Sequence, residues 1–264
     1  MRVQFRSTIL LKKLCDLFKE IQQNKMTMEL HPTDGMYLQA VDPSKVCLAT
    51  VNLRPPGFQA YDVPEESKIC LDVGQLSKVL KFCVPEQALD MSMGMSQDTL
   101  LIQARGVSAD GAFTLPLQYI AEDDLRYEVP TETSPEAFVA TYGASDLSRI
   151  VKDLSAFGDS LRLESCDGHL VAKMDVFDGN TSARVTLHHE RVLQASPEDI
   201  QASMFGTAYL NSILGKSVSS RVTLELLRDR PLVFAFDVSE YDGTVRVFLA
   251  PKIDDQDPTE DDQD

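Results

Sequence analysis

The sequence predicts an α+β protein made of two copies of one domain, with helices on one face of antiparallel sheets. Three observations carry that prediction. Alternating apolar strands outnumber four short amphipathic helices, Asp-Gly turns join strand pairs at the same place in each half, and matching residues recur at a near-constant spacing. Leu76 matches Leu210, Leu80 matches Leu214, Met93 matches Leu226 and Gly35 matches Gly168, each 133 or 134 residues apart, as an internal duplication requires.

Each element has its own warrant. A helix is expected over residues 7–22, because Leu10, Leu14, Leu17 and Ile21 share one stripe while Lys12 and Lys19 lie opposite. A hairpin over 26–39 turns at Asp34-Gly35, a strong short-range turn signal. The second helix, 73–83, faces Leu76, Val79 and Leu80 inward and Lys78 and Lys81 outward, and a strand follows over 88–93. The second half repeats this order. Its first helix, 145–157, buries Leu147, Ile150, Val151 and Leu154 and exposes Arg149 and Lys152, and its hairpin, 161–174, turns at Asp167-Gly168. Its second helix, 205–216, places Leu210, Ile213 and Leu214 inside and Ser212 and Lys216 outside, before a strand over 221–226. Acids, prolines and hydroxyl residues interrupt the pattern over 122–135, although Leu125, Tyr127 and Val129 still fall on one side of an extended segment. The domains are therefore 1–118 and 137–253, with a connector over 119–136 and an acidic disordered tail over 254–264.

The chain of 264 residues has 41 acidic and 25 basic side chains, a net charge of −16, which excludes a conventional basic nucleic-acid binder. At 43% hydrophobic it is neither disordered nor fibrous. No run approaches the roughly 20 apolar residues that span a bilayer, and the N-terminal segment lacks a continuous apolar core, so a soluble, unexported protein is expected. Five unclustered cysteines fit reduced thiols. The acid is unevenly distributed: residues 252–264 hold seven acidic residues and one lysine, while the outward faces of all four helices lean basic. Asp16, Glu20 and Asp153 flank those faces, so the segregation is incomplete.

Several segments, in order, resemble a known family. They are Leu11-Lys12-Lys13-Leu14, the run Gly35 to Asp42, Asn52-Leu53-Arg54 with Gly57-Phe58 and Tyr61, Leu76 to Lys81, Lys152-Asp153-Leu154 with Gly158-Asp159, and Leu249-Ala250-Pro251-Lys252-Ile253 before the acidic tail. Together they are similar to the eukaryotic sliding clamps, the proliferating cell nuclear antigen family, across nearly the whole chain, as a divergent member.

The resemblance implies a nuclear, non-enzymatic processivity factor with no cofactor or metal. Three subunits close head-to-tail into a ring with helices lining the hole. The helix cations then touch duplex DNA without reading bases, and the acidic exterior repels DNA elsewhere. The DNA-facing candidates are Lys12, Lys13, Lys19, Lys78, Lys81, Arg149, Lys152 and Lys216. Closure pairs the strand around 110–117 with the strand around 183–187 of another subunit, removing exposed edges. The partner site implied is a groove beneath the connector that takes the aliphatic and aromatic anchors of DNA polymerase and other client proteins carrying the family's short motif. By position it comprises Val41, Lys45, Val46, Leu48, Leu125, Tyr127, Val129, Pro231, Phe248, Leu249, Ala250, Pro251 and Ile253. An ATP-driven clamp loader is expected as a further partner.

The chain departs from the family in three places. The lysine expected before the second Asp-Gly turn is absent, because Ser165-Cys166 precede Asp167. Lys45 stands where His is frequent, and Pro55-Pro56 enters a loop where prolines are unexpected. Two other assemblies remain open, a subunit of a heterotrimeric checkpoint clamp and a monomeric polymerase processivity factor. A more distant alternative is a hydrolase using Ser160, since Gly158-Asp159-Ser160-Leu161 spells an esterase motif. That motif needs a downstream Asp-x-x-His, which the sequence lacks. The four histidines are expected at the surface, with adjacent His188 and His189 on opposite faces.

Overall fold

The computed structural model describes residues 1–21, 24–94, 98–105, 109–120, 127–130, 132–175, 182–195 and 202–252. The first half runs β1 (Arg2–Phe5), α1 (Ile9–Glu20), β2 (Lys25–His31), β3 (Gly35–Val41), β4 (Cys47–Leu53), β5 (Ala60–Asp62), β6 (Ser67–Asp72), α2 (Val73–Phe82), β7 (Leu89–Met93), β8 (Thr99–Arg105) and β9 (Asp110–Pro116). The second half repeats it as β10 (Phe138–Gly143), α3 (Ala144–Leu154), β11 (Ser160–Cys166), β12 (His169–Asp175), β13 (Ser182–Leu187), β14 (Arg191–Gln194), β15 (Ala202–Gly206), α4 (Thr207–Gly215), β16 (Arg221–Leu226), β17 (Leu232–Val238) and β18 (Gly243–Leu249).

The sheets repeat as well. Each half contains a five-stranded array, β5-β1-β7-β8-β9 or β14-β10-β16-β17-β18, and a four-stranded array, β4-β3-β2-β6 or β13-β12-β11-β15. Between the halves, β18 pairs antiparallel with β4, from Gly243↔Leu53 to Leu249↔Cys47, joining two arrays into one nine-stranded sheet. The equivalents of those two strands, β9 and β13, are both left at sheet edges.

The helices stand side by side in the order α2-α1-α4-α3, since α1 packs on α2 and α4, and α4 also packs on α3. Their inward stripes are largely as expected: Leu10, Leu14, Leu17, Leu76, Leu80, Leu147, Val151, Leu210 and Ile213 are all buried in the core, whereas Ile150, expected inside, is only half-buried. On β17 and β18 the alternation sends Phe234 and Val247 into that core, while Val233 and Phe248 point to the other face of the sheet.

Helix ends differ from expectation by one to three residues. Ser7 and Thr8 precede α1, and the Thr8 hydroxyl donates to the Val84 carbonyl, 2.9 Å away, instead of capping the helix. Phe205 belongs to β15, paired with Leu161. The two hairpins also differ. Asp167 and Gly168 form a two-residue turn with φ of 50° and 75°, closing on Cys166↔His169. In the first hairpin the closing pair is His31↔Gly35, so three residues form the loop and Gly35 already lies in the strand. Its φ of +95°, and the 2.1 Å that would separate an added Cβ from the Leu53 carbonyl, leave glycine as the residue that fits there. The unexpected prolines are accommodated by a short 3-10 turn, Pro55–Gly57, with proline at its start. Among the described residues no helix is long and apolar enough to cross a membrane.

Candidate functional site

The helix row gathers the predicted cations on one surface, but it holds them differently. Lys78, Lys81 and Lys152 are exposed and make no ion pair among the described residues. Lys12 donates to the Cys83 carbonyl at the C-terminal end of α2, 2.6 Å away, where a cation complements the helix dipole, and Lys13 donates to the Val218 carbonyl in the loop after α4 at 2.9 Å. Lys19 donates to Ser77 Oγ at 2.6 Å. Arg149 lies 3.5 Å from Asp153 on its own helix, and Lys216 lies 3.6 Å from Glu20 across the two halves. The acidic flank therefore offsets two of the eight expected cations.

The opposite face of the nine-stranded sheet carries several of the residues expected at the groove. Ladder partners place Val41, Leu48, Phe248 and Val233 in one lateral row crossing both halves. Phe248 and Pro231 line a cleft of about 670 Å³, together with Pro130, Val233 and Arg246. Tyr127 stands 43% exposed beside this row, and Val129 is half-buried. Ala250 donates its N–H to the Val46 carbonyl at 2.8 Å, so the chain leaving β18 forms one wall, with half-buried Pro251 beyond. Lys45 sits exposed in the neighbouring loop with φ of 58°. Leu249 is a correction: it is fully buried in the core, on the side of β18 opposite Phe248, and contributes backbone rather than side chain to the groove. Leu125 and Ile253 lie outside the described residues, as does the tail 254–264.

Five further residues, Gln39, Arg246, Glu225, Asp42 and Tyr209, hold this face together. Gln39 exchanges two hydrogen bonds with the Tyr127 backbone, accepting at 2.7 Å and donating at 2.9 Å. Arg246 donates to the Pro130 carbonyl at 2.8 Å, pairs with the mostly buried Glu225 at 3.2 Å and lies over the Phe248 ring. These two side chains clip the connector onto the sheet. Asp42, buried at the end of β3, accepts from the N–H groups of Ser44, Val46 and Cys47 and from the Tyr209 hydroxyl. It fixes the loop that carries Lys45 and Val46, and burial together with the Asp42 carboxylate pushes the Tyr209 phenol up.

With both surfaces in place, the comparisons with known proteins decide the family. The N-terminal domain model of proliferating cell nuclear antigen matches residues 1–124, and its C-terminal domain model matches residues 133–253. The chain belongs to the proliferating cell nuclear antigen family. It is 27% identical to "Proliferating cell nuclear antigen" of Saccharomyces cerevisiae over 97% of this chain and 99% of that one. It is also 27% identical to a "DNA polymerase sliding clamp" of Thermococcus onnurineus, over 84% of this chain and 87% of that one. The proliferating cell nuclear antigen structure from Thermococcus kodakaraensis superposes with a TM-score of 0.83 at 25% identity, over 95% and 99% of the two chains.

Against that family background the hydrolase motif has a structural explanation. Ser160 Oγ donates to Asp159 Oδ1 at 2.8 Å and accepts from Lys252 Nζ at 2.5 Å, while the Lys252 N–H bonds to the Met204 carbonyl. The Ser160 hydroxyl and Lys252 hold the exposed Asp159 carboxyl below its usual range. The trio fastens the segment after β18 to the second half. Of the four histidines, His188 is exposed as expected, whereas His31, His169 and His189 are half-buried. Strand pairing brings His169 to 5.0 Å from His189 and 6.3 Å from His188 between ring centroids, and the Nδ1 atoms of His169 and His189 are buried.

Proposed function

We propose that the chain is a DNA polymerase sliding clamp, a homotrimer that encircles duplex DNA and tethers polymerase and other client proteins. The observation that carries the ring is the repetition of the sheet junction. The β18–β4 ladder pairs Val245 with Val51 and Val247 with Ala49. Transferring that ladder by the domain repeat pairs Gly111 with Val185 and Phe113 with Ala183, residues of β9 and β13 from different copies. Phe113, Ala183 and Val185 are half-buried apolar residues on edge strands, as an uncovered interface would leave them. A heterologous contact made of two different edges closes into a ring instead of a twofold dimer, and three copies is the number the resemblance implies.

Domains 1–118 and 137–253 then form six similar units around the hole, with 119–136 as the connector. The helix row faces DNA with Lys12, Lys13, Lys19, Lys78, Lys81, Arg149, Lys152 and Lys216. The cleft between the Val41-Leu48-Phe248 row and the connector takes an extended client peptide with apolar anchors, whose side chains cover Tyr127 and Pro231. Ser160, engaged with Asp159 and Lys252, has a structural role, and the chain is not an enzyme. A replicative role of this kind places the protein in a nucleus, and a closed ring requires an ATP-driven loader.

Native mass measurement at micromolar concentration, followed by retention on nicked circular DNA after loading, tests the proposal. Three chains per particle, released when the circle is linearised, is the expected result. A stable monomer, or retention unaffected by linearisation, refutes it.

A further inference from the structure

We propose that Phe82 of one copy meets Phe157 of the next at the subunit junction, an aromatic contact occupying the place of an ion pair at the chain's own domain boundary. The proposal rests on the ring described above and names what seals it.

Within the chain, α4 of the second half packs on α1 of the first through two polar links: Lys216 Nζ lies 3.6 Å from Glu20 Oε1, and Lys13 Nζ donates to the Val218 carbonyl at 2.9 Å. The repeat specifies what occupies these positions between copies. Helix α2 corresponds to α4 through Leu76 with Leu210 and Leu80 with Leu214, which places Phe82 at the position of Lys216 and Val84 at that of Val218. Helix α1 corresponds to α3 through Leu10 with Leu147, Leu14 with Val151 and Leu17 with Leu154, which places Ile150 at the position of Lys13 and Phe157 at that of Glu20.

Both polar links thus become apolar ones, Phe82 with Phe157 and Val84 with Ile150. The exposures fit. Phe82 is 51% exposed, Val84 57% and Phe157 48%, among the few large apolar side chains left uncovered. Phe82 also packs edge-on against Phe113 of β9 at 5.3 Å, so the exposed aromatic surface is continuous with the free strand edge. Exposed apolar groups at matching places on the two surfaces that face each other in a ring, one of them continuous with the free edge of β9, fit a second copy of this chain as the partner. Unlike an ion pair, such a junction holds in high salt.

The test is a charge exchange read by native mass and light scattering. The unaltered chain is expected to stay trimeric from about 0.1 M to about 1 M salt. Phe82→Lys and Phe157→Glu, each alone, bury an unpaired charge and raise the dissociation constant at least about 10-fold. Combining them recreates the Glu20–Lys216 arrangement, so the double variant regains assembly at low salt and loses it at high salt. As an independent check, the Phe82→Cys, Phe157→Cys chain is expected to be closed into a covalent trimer by a short bis-maleimide, which bridges two thiols too far apart for a direct disulfide. Single variants that assemble within about 2-fold of the parent, no recovery in the double variant, or no cross-linking overturn the aromatic junction while leaving the ring intact. A parent chain that stays monomeric instead overturns the ring itself.

Discussion

Gln39 and Tyr127, 88 residues apart, are joined by two hydrogen bonds of 2.7 and 2.9 Å that hold the connector against β3. The amide of Gln39 satisfies both the N–H and the carbonyl of one connector residue, so the apolar groove beside it has a defined wall. Gln39→Ala removes both bonds, which together contribute about 1 to 2 kcal/mol at an exposed site. Affinity for a client peptide is expected to fall about 5- to 30-fold in a fluorescence titration, with assembly unchanged. Full peptide affinity in this variant would show that the clipped connector does not form the site.

Asp42 and Tyr209 come from different halves, and their 2.9 Å bond ties the groove loop to α4. Tyr209→Phe removes a hydrogen bond to a charged group, at a cost of about 1.5 to 3 kcal/mol. Asp42→Ala also strands the N–H groups of Val46 and Cys47, which accounts for a larger loss. In a domain pair of this size each kcal/mol shifts the midpoint by about 2 to 4 °C. Calorimetry is therefore expected to rank parent, Tyr209→Phe and Asp42→Ala in order of falling midpoint, and equal midpoints for the two variants would contradict the role of Asp42 as organiser of the loop.

The lysines of the helix row are not equivalent. Lys78 and Lys81 are solvated, whereas Lys13 bridges the halves through Val218. The pair Lys78→Glu and Lys81→Glu is expected to leave mass and stability unchanged while cutting retention on circular DNA roughly 10-fold. For every phosphate no longer neutralised, the slope of log affinity against log salt falls by about 0.9. Lys13→Ala is expected to lower stability as well. Undiminished DNA retention in the double Glu variant would remove α2 from the DNA-facing wall.

Local patterns were legible in the sequence, and contacts across it were not. The stripes of α1 to α4 follow from the helical period alone, so Leu14, Leu80, Val151 and Leu214 were placed correctly. The face of Leu249 was not readable because Phe248, Leu249 and Ala250 are all apolar, and a run without alternation does not say which member points inward. The apolarity of Phe205 extends the helical stripe of α4, but its ladder with Leu161 overrides that local preference. The partners of Gln39, Arg246 and Tyr209 lie 88, 116 and 167 residues away in sequence, and only the duplicated sheet brings them together. The helical wheel puts Glu20 and Asp153 on the flanks of the basic faces but does not assign their partners, Lys216 and Arg149.

The thiols offer a test of the core that needs no partner. Burial pushes Cys15 and Cys47 from an ordinary value of 9.0 up to about 12, and it raises Cys83 as well. Cys70 is also buried, leaving Cys166 half-exposed at the end of β11. Since the thiolate is the nucleophile, the native protein at pH 8 is expected to react rapidly with a small thiol reagent at one site, and at all five in denaturant. The same shifts set the alkaline limit of stability. Between about 9 and about 12 the unfolded chain releases thiol protons that the folded chain retains, so the unfolded state binds fewer protons and stability falls as pH rises through this window. Below the unfolded value both states are protonated and the effect vanishes. Rapid native modification at Cys15 or Cys47, mapped by mass spectrometry, or an alkaline stability profile that rises from pH 9 to 11, would show that the packing around α1 and β4 is looser than the structure has it.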